Sequence, residues 1–249
     1  MKKIAAFIGS VAFTAALITA PATFAASVGN TVRIETKTQA ISEHQIVMYT
    51  DSVIKRVNEE RRKRGLVELK MFPKLSKCAN IRVKETTAYW SHQRINGTSG
   101  LDIFDEQNLN WSNIAENIAK GSPDPQSVMD GWMNSTAHRD SILNPNYRYI
   151  GVGCANFEGV FYWTQLFMSS FSEYSYAYLP EKHGELNDDG IVDAVDAAMA
   201  LQDYASISSG RSGTLDQNRR ARADMNGDEV VDAVDAALIL GIYADNSSR

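Results

Sequence analysis

A duplicated acidic segment near the C-terminal end constrains the fold of this chain more than any other feature of its sequence. The first copy begins at Glu185 and reads ELNDDGIVDAVDAAMAL, and the second begins at Asp224 and reads DMNGDEVVDAVDAALIL. The second copy starts 39 residues after the first, and the string VDAVDAA is identical in both. Internal repetition of this kind indicates one small structural unit that is used twice.

Each copy has the spacing of a calcium-binding loop of 12 residues. Ca²⁺ binds about six to eight oxygen atoms, so alternate residues of a tight loop must direct oxygens towards the ion. The predicted ligands are Glu185, Asn187, Asp189, Ile191 (carbonyl), Asp193 and Asp196 in the first loop, and Asp224, Asn226, Asp228, Val230 (carbonyl), Asp232 and Asp235 in the second. Two calcium ions are therefore expected. A pair of acidic helix caps without metal is the alternative, and two copies in register argue against it.

Two positions depart from the usual loop. Glu185 replaces the usual Asp at position 1, and its longer side chain is expected to bind an ion less well. Glu229 replaces the Gly of position 6, which makes a sharp turn that glycine tolerates best. The second loop is therefore expected to be strained, or to bind its calcium ion more weakly.

An apolar helix is predicted after each loop, over Ala197–Tyr204 and Ala236–Tyr243, and the helix pair of a full EF-hand is missing in front of either loop. Over residues 185–245 this arrangement resembles a type I dockerin domain, with a middle helix within 205–222. The resemblance implies calcium-dependent docking to a cohesin module of a scaffold protein. The recognition positions 10 and 11 of the loops are Ala194, Val195, Ala233 and Val234. Because the two copies match, either one could face the partner.

Seven short strings occur in order in the larger, N-terminal part of the chain. They are Trp90-Ser91-His92, Ala115–Ala119 (AENIA), Gly131–Ser135 (GWMNS), Ala137-His138-Arg139, Ile142–Pro145 (ILNP), Ile150–Gly153 (IGVG) and Tyr162–Gln165 (YWTQ). Their order and spacing over about 48–171 resemble the bacterial branch of the CAP superfamily, also called SCP-like extracellular domains. The resemblance implies an α-β-α sandwich with an open cleft.

The resemblance also implies which side chains line that cleft. His92, Glu116 and His138 match the cleft residues of the family, whereas Asn134 and Tyr162 stand where many members have a second Glu and a second His. Two imidazoles and a carboxylate suit a divalent transition metal or an acid–base pair. They also suit a structural brace of a ligand-binding cleft for a lipid, a peptide or a glycan. Nothing in the sequence marks Ser91 or Ser135 as an activated nucleophile.

The remaining pattern predicts an α+β fold with a small all-α calcium-binding module. Helices are expected from about Tyr49 to Gly65, from Pro73, and from Pro125 to Leu143, and residues 91–113 read as loop. Tyr149–Ala155 and Val160–Phe171 are rich in β-branched and aromatic residues and predict a hairpin. Helices followed by a hairpin indicate a layered α+β domain. Trp132 and Trp163 are expected in its core.

The chain is expected to have five segments. These are a signal peptide over 1–26, a linker over 27–45, the CAP-like domain over 46–172, a second linker over 173–184 and the dockerin-like domain over 185–249. His44 and His183 fall in the linkers and are expected to be exposed. No later segment is long and apolar enough for a membrane span. Residues 185–249 carry 13 acidic and 5 basic side chains, which argues against binding of nucleic acid.

The two cysteines, Cys78 and Cys154, leave two interpretations open. In an exported protein they suit a single disulfide bridge, and they equally suit two buried thiols. Together these features predict an extracellular component of a cellulosome-type complex whose CAP-like domain binds a ligand. The alternative is a tethered hydrolase that acts on peptides or on polysaccharide. No pair of carboxylates typical of a glycosidase is evident in the CAP-like part.

Overall fold

The structure is a computed structural model, and it describes residues 41–247. The predicted signal peptide and residues 27–40 of the predicted linker lie outside the described residues. The elements are α1 (Glu43–Arg62), β1 (Lys70–Met71), α2 (Pro73–Ala88), α3 (Ile103–Glu106), β2 (Trp111–Lys120), α4 (Pro125–Asn134), α5 (Thr136–Ile142), β3 (Tyr149–Phe157), β4 (Val160–Ser170), α6 (Ala194–Ser208), α7 (Gln217–Ala223) and α8 (Ala233–Ser247).

One four-stranded sheet, in the order β1-β3-β4-β2, forms the centre of the N-terminal part. The predicted hairpin is β3–β4, turning through Glu158 and Gly159, which both have positive φ. β2 pairs antiparallel with β4 and forms one edge of the sheet. This strand contains the AENIA string and was not predicted as a strand, because its alternation of apolar residues is weak.

Helices cover both faces of this sheet, so the predicted α+β class is confirmed. α1 and α4 pack on one face around Val53, Ile54 and Trp132, together with Trp163 of β4. α2 packs on the other face. Trp132 and Trp163 are buried, which confirms their predicted place in the core.

Two glycines of β3 allow α2 to lie directly on the strand. A Cβ atom on Gly151 would lie 2.3 Å from the carbonyl oxygen of Leu75, and one on Gly153 would lie 2.4 Å from that of Ala79. No side chain fits between strand and helix at these points. The IGVG string therefore sets the distance between α2 and the sheet.

The predicted single helix over 125–143 is two helices, and the prediction was wrong at Ser135. Its backbone is extended, with φ −96° and ψ 122°, so α4 ends and α5 begins there. Arg139 donates a hydrogen bond to the carbonyl oxygen of Met133 at 2.9 Å. This contact satisfies a carbonyl at the end of α4 that a continuous helix would have used internally.

The C-terminal part is helical, as predicted. α6 and α8 pack against one another, and both begin three residues earlier than predicted, at Ala194 and Ala233. The side chain of Asp193 accepts from the amide of Val195 and caps α6. The predicted middle helix is α7. The core of this part contains Leu186, Ala197, Ala200, Leu215, Ala236 and Ile239 and also includes Val47 of α1.

Both predicted linker histidines are packed against other parts of the chain, so the prediction of exposure was wrong. His183 is 6% exposed, and its Nδ1 lies 2.9 Å from Oδ1 of Asp51 in α1. Burial alone would lower the pKa of His183, but the Asp51 carboxylate raises it above its ordinary value. Nε2 of His44 lies 3.0 Å from Oδ2 of Asp245 in α8. The C-terminal helices are thus held against α1.

Cys78 and Cys154 are free and buried, which corresponds to the second of the two interpretations. Cys78 belongs to the core between α2 and the sheet, whereas Cys154 belongs to the core on the opposite face. Burial raises the pKa of each thiol to about 12. The sheet between the two side chains explains why they are not bridged.

Within residues 41–247, none of the helices has the length and apolar character that crossing a membrane requires.

The contact between α2 and β3 gives a first prediction. Gly151→Ala should lower the free energy of unfolding by about 1–3 kcal/mol, because the new methyl group meets the backbone of α2. Urea unfolding followed by circular dichroism measures the change. Gly131→Ala is the matched control, since a Cβ there has open space in α4. The control should be neutral or stabilise the protein by up to about 1 kcal/mol. Equal urea midpoints of unfolding for Gly151→Ala and the wild type would contradict this close packing of α2 on β3.

Candidate functional site

A buried carboxylate on β2 lies at the centre of the predicted cleft of the N-terminal part. The side chain of Glu116 is 3% exposed and accepts two hydrogen bonds from Arg82 of α2. Nε of Arg82 lies 2.8 Å from Oε2, and Nη2 lies 3.2 Å from Oε1. Nη1 of the same guanidinium donates to Glu85 at 2.5 Å. Arg82 is thus flanked by two carboxylates in a buried ion-pair network.

Arg82 was not predicted as part of this site. A weak signal was present, because Arg82 falls on the same helical face as the apolar residues Cys78 and Ala79. A charged residue on an inward face needs a partner of opposite charge. Sequence alone did not show that the partner comes from a strand 34 residues away.

The structure brings His92 and Glu116 together. Nδ1 of His92 lies 2.9 Å from Oε1 of Glu116, while the imidazole side chain is 61% exposed. Burial alone would raise the pKa of Glu116, but hydrogen bonds from His92 and Arg82 lower it. The hydrogen bond to Glu116 in turn raises the pKa of His92. Glu116 is therefore an ionised partner that favours the imidazolium form of His92.

His138 approaches the cleft from α5. Its backbone carbonyl accepts a hydrogen bond from Nδ2 of Asn117 at 3.1 Å, which joins α5 to β2. Burial and then the nearby His92 lower the pKa of His138. His92 therefore favours its charged form and His138 its neutral form. Asn134 is exposed at the end of α4.

Tyr162 contributes to an aromatic surface at the end of the same strands. Its ring lies 6.0 Å from that of Trp90 in an edge arrangement, and Trp90 is 40% exposed. Nζ of Lys120, which is opposite Tyr162 in the sheet, lies 5.2 Å from the centre of the Trp90 ring. This cation–π contact and the aromatic pair form an exposed surface directly before His92 in the chain.

The donor set of the cleft does not fit the predicted transition metal. Both oxygens of Glu116 are used by Arg82 and His92, and Asn134 and Tyr162 provide no imidazole or carboxylate. Between residues 41 and 247, no three His, Cys, Asp or Glu side chains form a group that could hold an ion by themselves. The predicted ligand sets of the acidic loops also include Asn side chains and backbone carbonyls.

The two acidic loops close in the same way. Oδ1 of Asp196 accepts from the amide of Leu186 at 2.7 Å, and Oδ2 accepts from that of Asp193 at 2.8 Å. The carboxylate of Asp235 makes the equivalent bonds in the second loop. Both position-12 carboxylates are fully buried. Each therefore joins the two ends of its loop to the start of the following helix.

Each loop has a left-handed backbone at positions 4 and 6. In the first loop these are Asp188 (φ 64°) and Gly190 (φ 87°), and in the second they are Gly227 (φ 71°) and Glu229 (φ 71°). One of the two is a glycine in each loop, so each loop carries one strained residue, at a cost of about 1–3 kcal/mol. The expectation that Glu229 lies in a strained position is confirmed.

Two predicted ligands of the second loop are buried carboxylates. Asp224 and Asp235 are buried near one another, and burial followed by repulsion from Asp235 raises the pKa of Asp224 to about 7. Burial raises the pKa of Asp235 to about 6. Carboxylates gathered in this way are stabilised in their ionised form by a divalent cation.

The predicted recognition residues lie exposed at the start of α6 and α8. Val195 is 52% and Val234 41% exposed, and Ala194 and Ala233 beside them are exposed as well. Further exposed apolar residues follow on both helices at the same spacing, and sequence reasoning missed them although the repeat pointed to them. They are Leu201 and Tyr204 on α6 and Leu240 and Tyr243 on α8. We call Val195, Leu201 and Tyr204, with Val234, Leu240 and Tyr243, the paired stripes.

Comparison with known families matches both parts of the chain. Residues 54–167 match the model of CAP, the cysteine-rich secretory protein family, and residues 183–240 match that of the dockerin type I domain. The chain carries a CAP domain followed by a type I dockerin domain. Both resemblances seen in the sequence are confirmed, and the dockerin match supports calcium as the ion of the acidic loops.

Two curated relatives from Bacillus subtilis (strain 168) match part of the chain. The uncharacterized protein YkwD is 35% identical over 136 residues, which are 54% of this chain and 52% of the relative. The uncharacterized membrane protein YlbC is 32% identical over 120 residues, which are 47% of this chain and 32% of the relative. The chain therefore spans about half of one relative and about a third of the other.

Solved structures match over about half of this chain. An extracellular protein containing a SCP domain from Bacillus anthracis is 22% identical, with a TM-score of 0.46, and the match covers 51% of this chain and 42% of that one. An outer surface protein from Borrelia burgdorferi is 19% identical, with a TM-score of 0.48, and the match covers 53% and 98%.

The contact between Glu116 and His92 gives a second prediction. Glu116→Gln should lower the pKa of His92 towards the ordinary histidine value, because the charge that favours the imidazolium is lost. In the wild type, the stabilisation from this pair is complete below the ordinary histidine pKa and is lost as pH rises through the raised pKa of His92. NMR titration of the His92 imidazole measures the shift.

Glu85→Gln is the control for this titration, because Glu85 contacts Arg82 and Arg94 and makes no hydrogen bond to His92. The pKa of His92 in the Glu85→Gln variant should remain close to its value in the wild type. An unchanged His92 pKa in Glu116→Gln would show that the carboxylate does not control the imidazole.

Proposed function

We propose that this chain is a secreted component that docks to a cohesin module of a scaffold protein through its dockerin domain, in a calcium-dependent manner. The observation that carries this proposal is the pair of exposed apolar stripes at the starts of two helices that follow like acidic loops. The CAP domain is then the cargo. It extends over 46–172 and the dockerin over 185–249 in this proposal, with the signal peptide over 1–26.

The paired stripes support docking because they are exposed although they are apolar. Tyr204 and Tyr243 are 41% and 42% exposed, and Leu201 and Leu240 are both 42% exposed. Exposed apolar side chains repeated on two packed helices are typical of a protein–protein interface. Because the stripes carry the same residues, each suits the same partner surface, and the chain binds in two alternative orientations.

The position of the loops next to the stripes explains why docking depends on calcium in this proposal. Val195 and Val234 are at position 11 of the loops, and like Asp196 and Asp235 at position 12 they belong to both the loop and the first turn of the helix. An ion that draws the ligands of a loop together therefore also fixes the start of the stripe. The expected count is two ions, one in each loop. Ordering the loops before docking lowers the entropic cost of binding.

We propose that the CAP domain binds a ligand in the cleft beside His92. The support is the exposed surface of Trp90, Tyr162 and Lys120, which combines aromatic rings with a positive charge. Such surfaces suit sugar rings or a peptide with a carboxylate. Glu116, whose pKa is lowered and which is neutralised by Arg82, acts as a brace for His92 in this proposal.

The hydrolase alternative has less support from the geometry. Among the described residues, no Ser or Cys side chain is hydrogen-bonded to the ring of His92 or His138, so no nucleophile is paired with a base. Ser91 accepts a hydrogen bond from the amide of Gln93 instead. An extracellular location in a multi-enzyme complex of the cellulosome type, such as those for polysaccharide breakdown, follows from the predicted signal peptide and the dockerin.

The paired stripes give a third prediction. Val195→Asp and Val234→Asp should each leave binding to a cohesin within about threefold of the wild type, because the other stripe remains. The double variant should lose binding by at least about 100-fold. Surface plasmon resonance against a panel of cohesins, with calcium and with excess chelator, measures this.

Ile95→Asp is the control for the stripe variants, because Ile95 is 82% exposed in the CAP domain and lies outside the stripes. It should bind like the wild type. Tight cohesin binding by the double variant, or by the wild type in excess chelator, would refute the proposal.

The cleft gives a fourth prediction. Trp90→Ala should weaken binding to any oligosaccharide or peptide that the wild type retains in a panel of plant and cell-wall fragments, by about tenfold. Phe171→Ala, at a residue 78% exposed elsewhere on the domain, should have no effect. Equal binding by Trp90→Ala and wild type would place the ligand elsewhere.

A further inference from the structure

We propose that the two calcium loops are inequivalent, because side chains of this chain already neutralise the first loop. This inference rests on the proposed calcium binding and adds to it an order of affinity: loop two, from Asp224, binds calcium tightly, and loop one, from Glu185, binds it weakly. The residue at position 6 alone predicts the opposite order of calcium affinity, because loop two has Glu229 there instead of the usual glycine.

The position-1 ligand of loop one is bound to two cations. The side chain of Glu185 is 1% exposed. Its Oε2 accepts from Nζ of Lys182 at 2.6 Å and from Nη1 of Arg222 at 3.2 Å. Arg222 lies in the last turn of α7, and its side chain is 9% exposed. A calcium ion at this position must share the carboxylate with two positive charges.

Loop one is neutralised at a second point. Nη1 of Arg222 also donates to Oδ1 of Asp188 at 2.9 Å, and Nη2 of Arg219 donates to Oδ2 of Asp188 at 3.2 Å. α7 therefore directs two arginines at loop one. Oε1 of Glu185 is buried without a hydrogen-bond partner, so one oxygen of this carboxylate stays open to an ion. This arrangement therefore weakens calcium binding at loop one without abolishing it.

Loop two has no such cations. Asp224 is 5% exposed, and its two oxygens accept from the amides of Asp228 and Glu229, each at 3.0 Å. Within residues 41–247, no Lys or Arg nitrogen forms an ion pair with the four carboxylate ligands of this loop, Asp224, Asp228, Asp232 and Asp235. Lys77 contacts Glu229, whose side chain is not a predicted ligand.

The sequence difference that causes this contrast is small. Three residues before loop one stands Lys182, and at the equivalent place before loop two stands Ala221, which is buried. Position 1 is Glu in loop one and Asp in loop two, and the longer Glu side chain reaches the cations outside the loop. Both loops have four carboxylates at ligand positions, so the two cations at the position-1 ligand Glu185 decide the difference.

The experiment is a calcium titration of the full chain, stripped of metal, by calorimetry in competition with a chelator at fixed ionic strength. The wild type should bind one ion tightly and a second at least about tenfold more weakly. Asp224→Asn should remove the tight event, and Glu185→Gln should remove the weak one. Arg222→Gln should tighten the weak event by at least about threefold and leave the tight event unchanged.

Two further variants keep the test decisive. Lys182→Gln removes the second cation at a side chain that is 40% exposed, and it should also tighten the weak event if Arg222→Gln fails to fold. Arg211→Gln, in the same domain and away from both loops, should leave both events unchanged. Two equal events in the wild type, or unchanged affinities in Arg222→Gln and Lys182→Gln, would overturn the inequivalence alone. The absence of any calcium binding would overturn the proposed function as well.

Discussion

A carboxylate that is removed from water requires a positive charge nearby, and this requirement organises both halves of the chain. Glu116 obtains that charge from Arg82 and His92 in the CAP domain. Glu185 obtains it from Lys182 and Arg222 in the first dockerin loop. Asp224 is buried to a similar degree, and no Lys or Arg among the described residues pairs with its carboxylate, so under the proposed function an ion from solution supplies the charge. The same constraint thus gives Glu116 and Glu185 partners within the chain and leaves Asp224 for the proposed ion.

The two domains also share a packing constraint through α1. Val53 and Val57 of this helix belong to the CAP core, whereas Val47 belongs to the dockerin core. Between them, Asp51 pairs with His183. A helix that contributes to two cores cannot turn independently of either one, so the dockerin is held against its cargo. This arrangement differs from two separate domains joined by the linker that is expected over 173–184.

The second loop adds a direct contact with the CAP domain. Nδ2 of Asn80 donates to the carbonyl oxygen of Asn226 at 2.9 Å, and Lys77 pairs with Glu229. Gly227 permits the approach, because a Cβ there would lie 3.2 Å from the Asn80 side chain. Glu229 therefore has a role at position 6 that glycine lacks, which is to bind α2. This contact offsets part of the strain of its left-handed backbone.

Local patterns predicted much of this structure, and contacts between distant segments were the part they missed. The repeat showed both loops and their helices, because every ligand lies within 12 residues. The hairpin could be predicted from the sequence because its two strands are adjacent along the chain. Arg82 and Glu116 lie 34 residues apart, and Glu185 and Arg222 lie 37 apart. The sequence shows that such charges exist, and only the fold shows which of them meet.

The two stripes of the dockerin are therefore stabilised by different contacts. The start of α6 follows a loop that is cross-linked by Arg222 from α7, so its order depends on the protein's own charges. The start of α8 follows a loop whose predicted ligand carboxylates form no ion pair with Lys or Arg among the described residues, and this loop contacts α2 through Asn80 and Lys77. Under the proposed function, calcium at the second loop therefore fixes a stripe and the contact with the CAP domain together. A symmetrical repeat in sequence thus becomes an asymmetrical module in structure, because the two loops have different ion-pair partners.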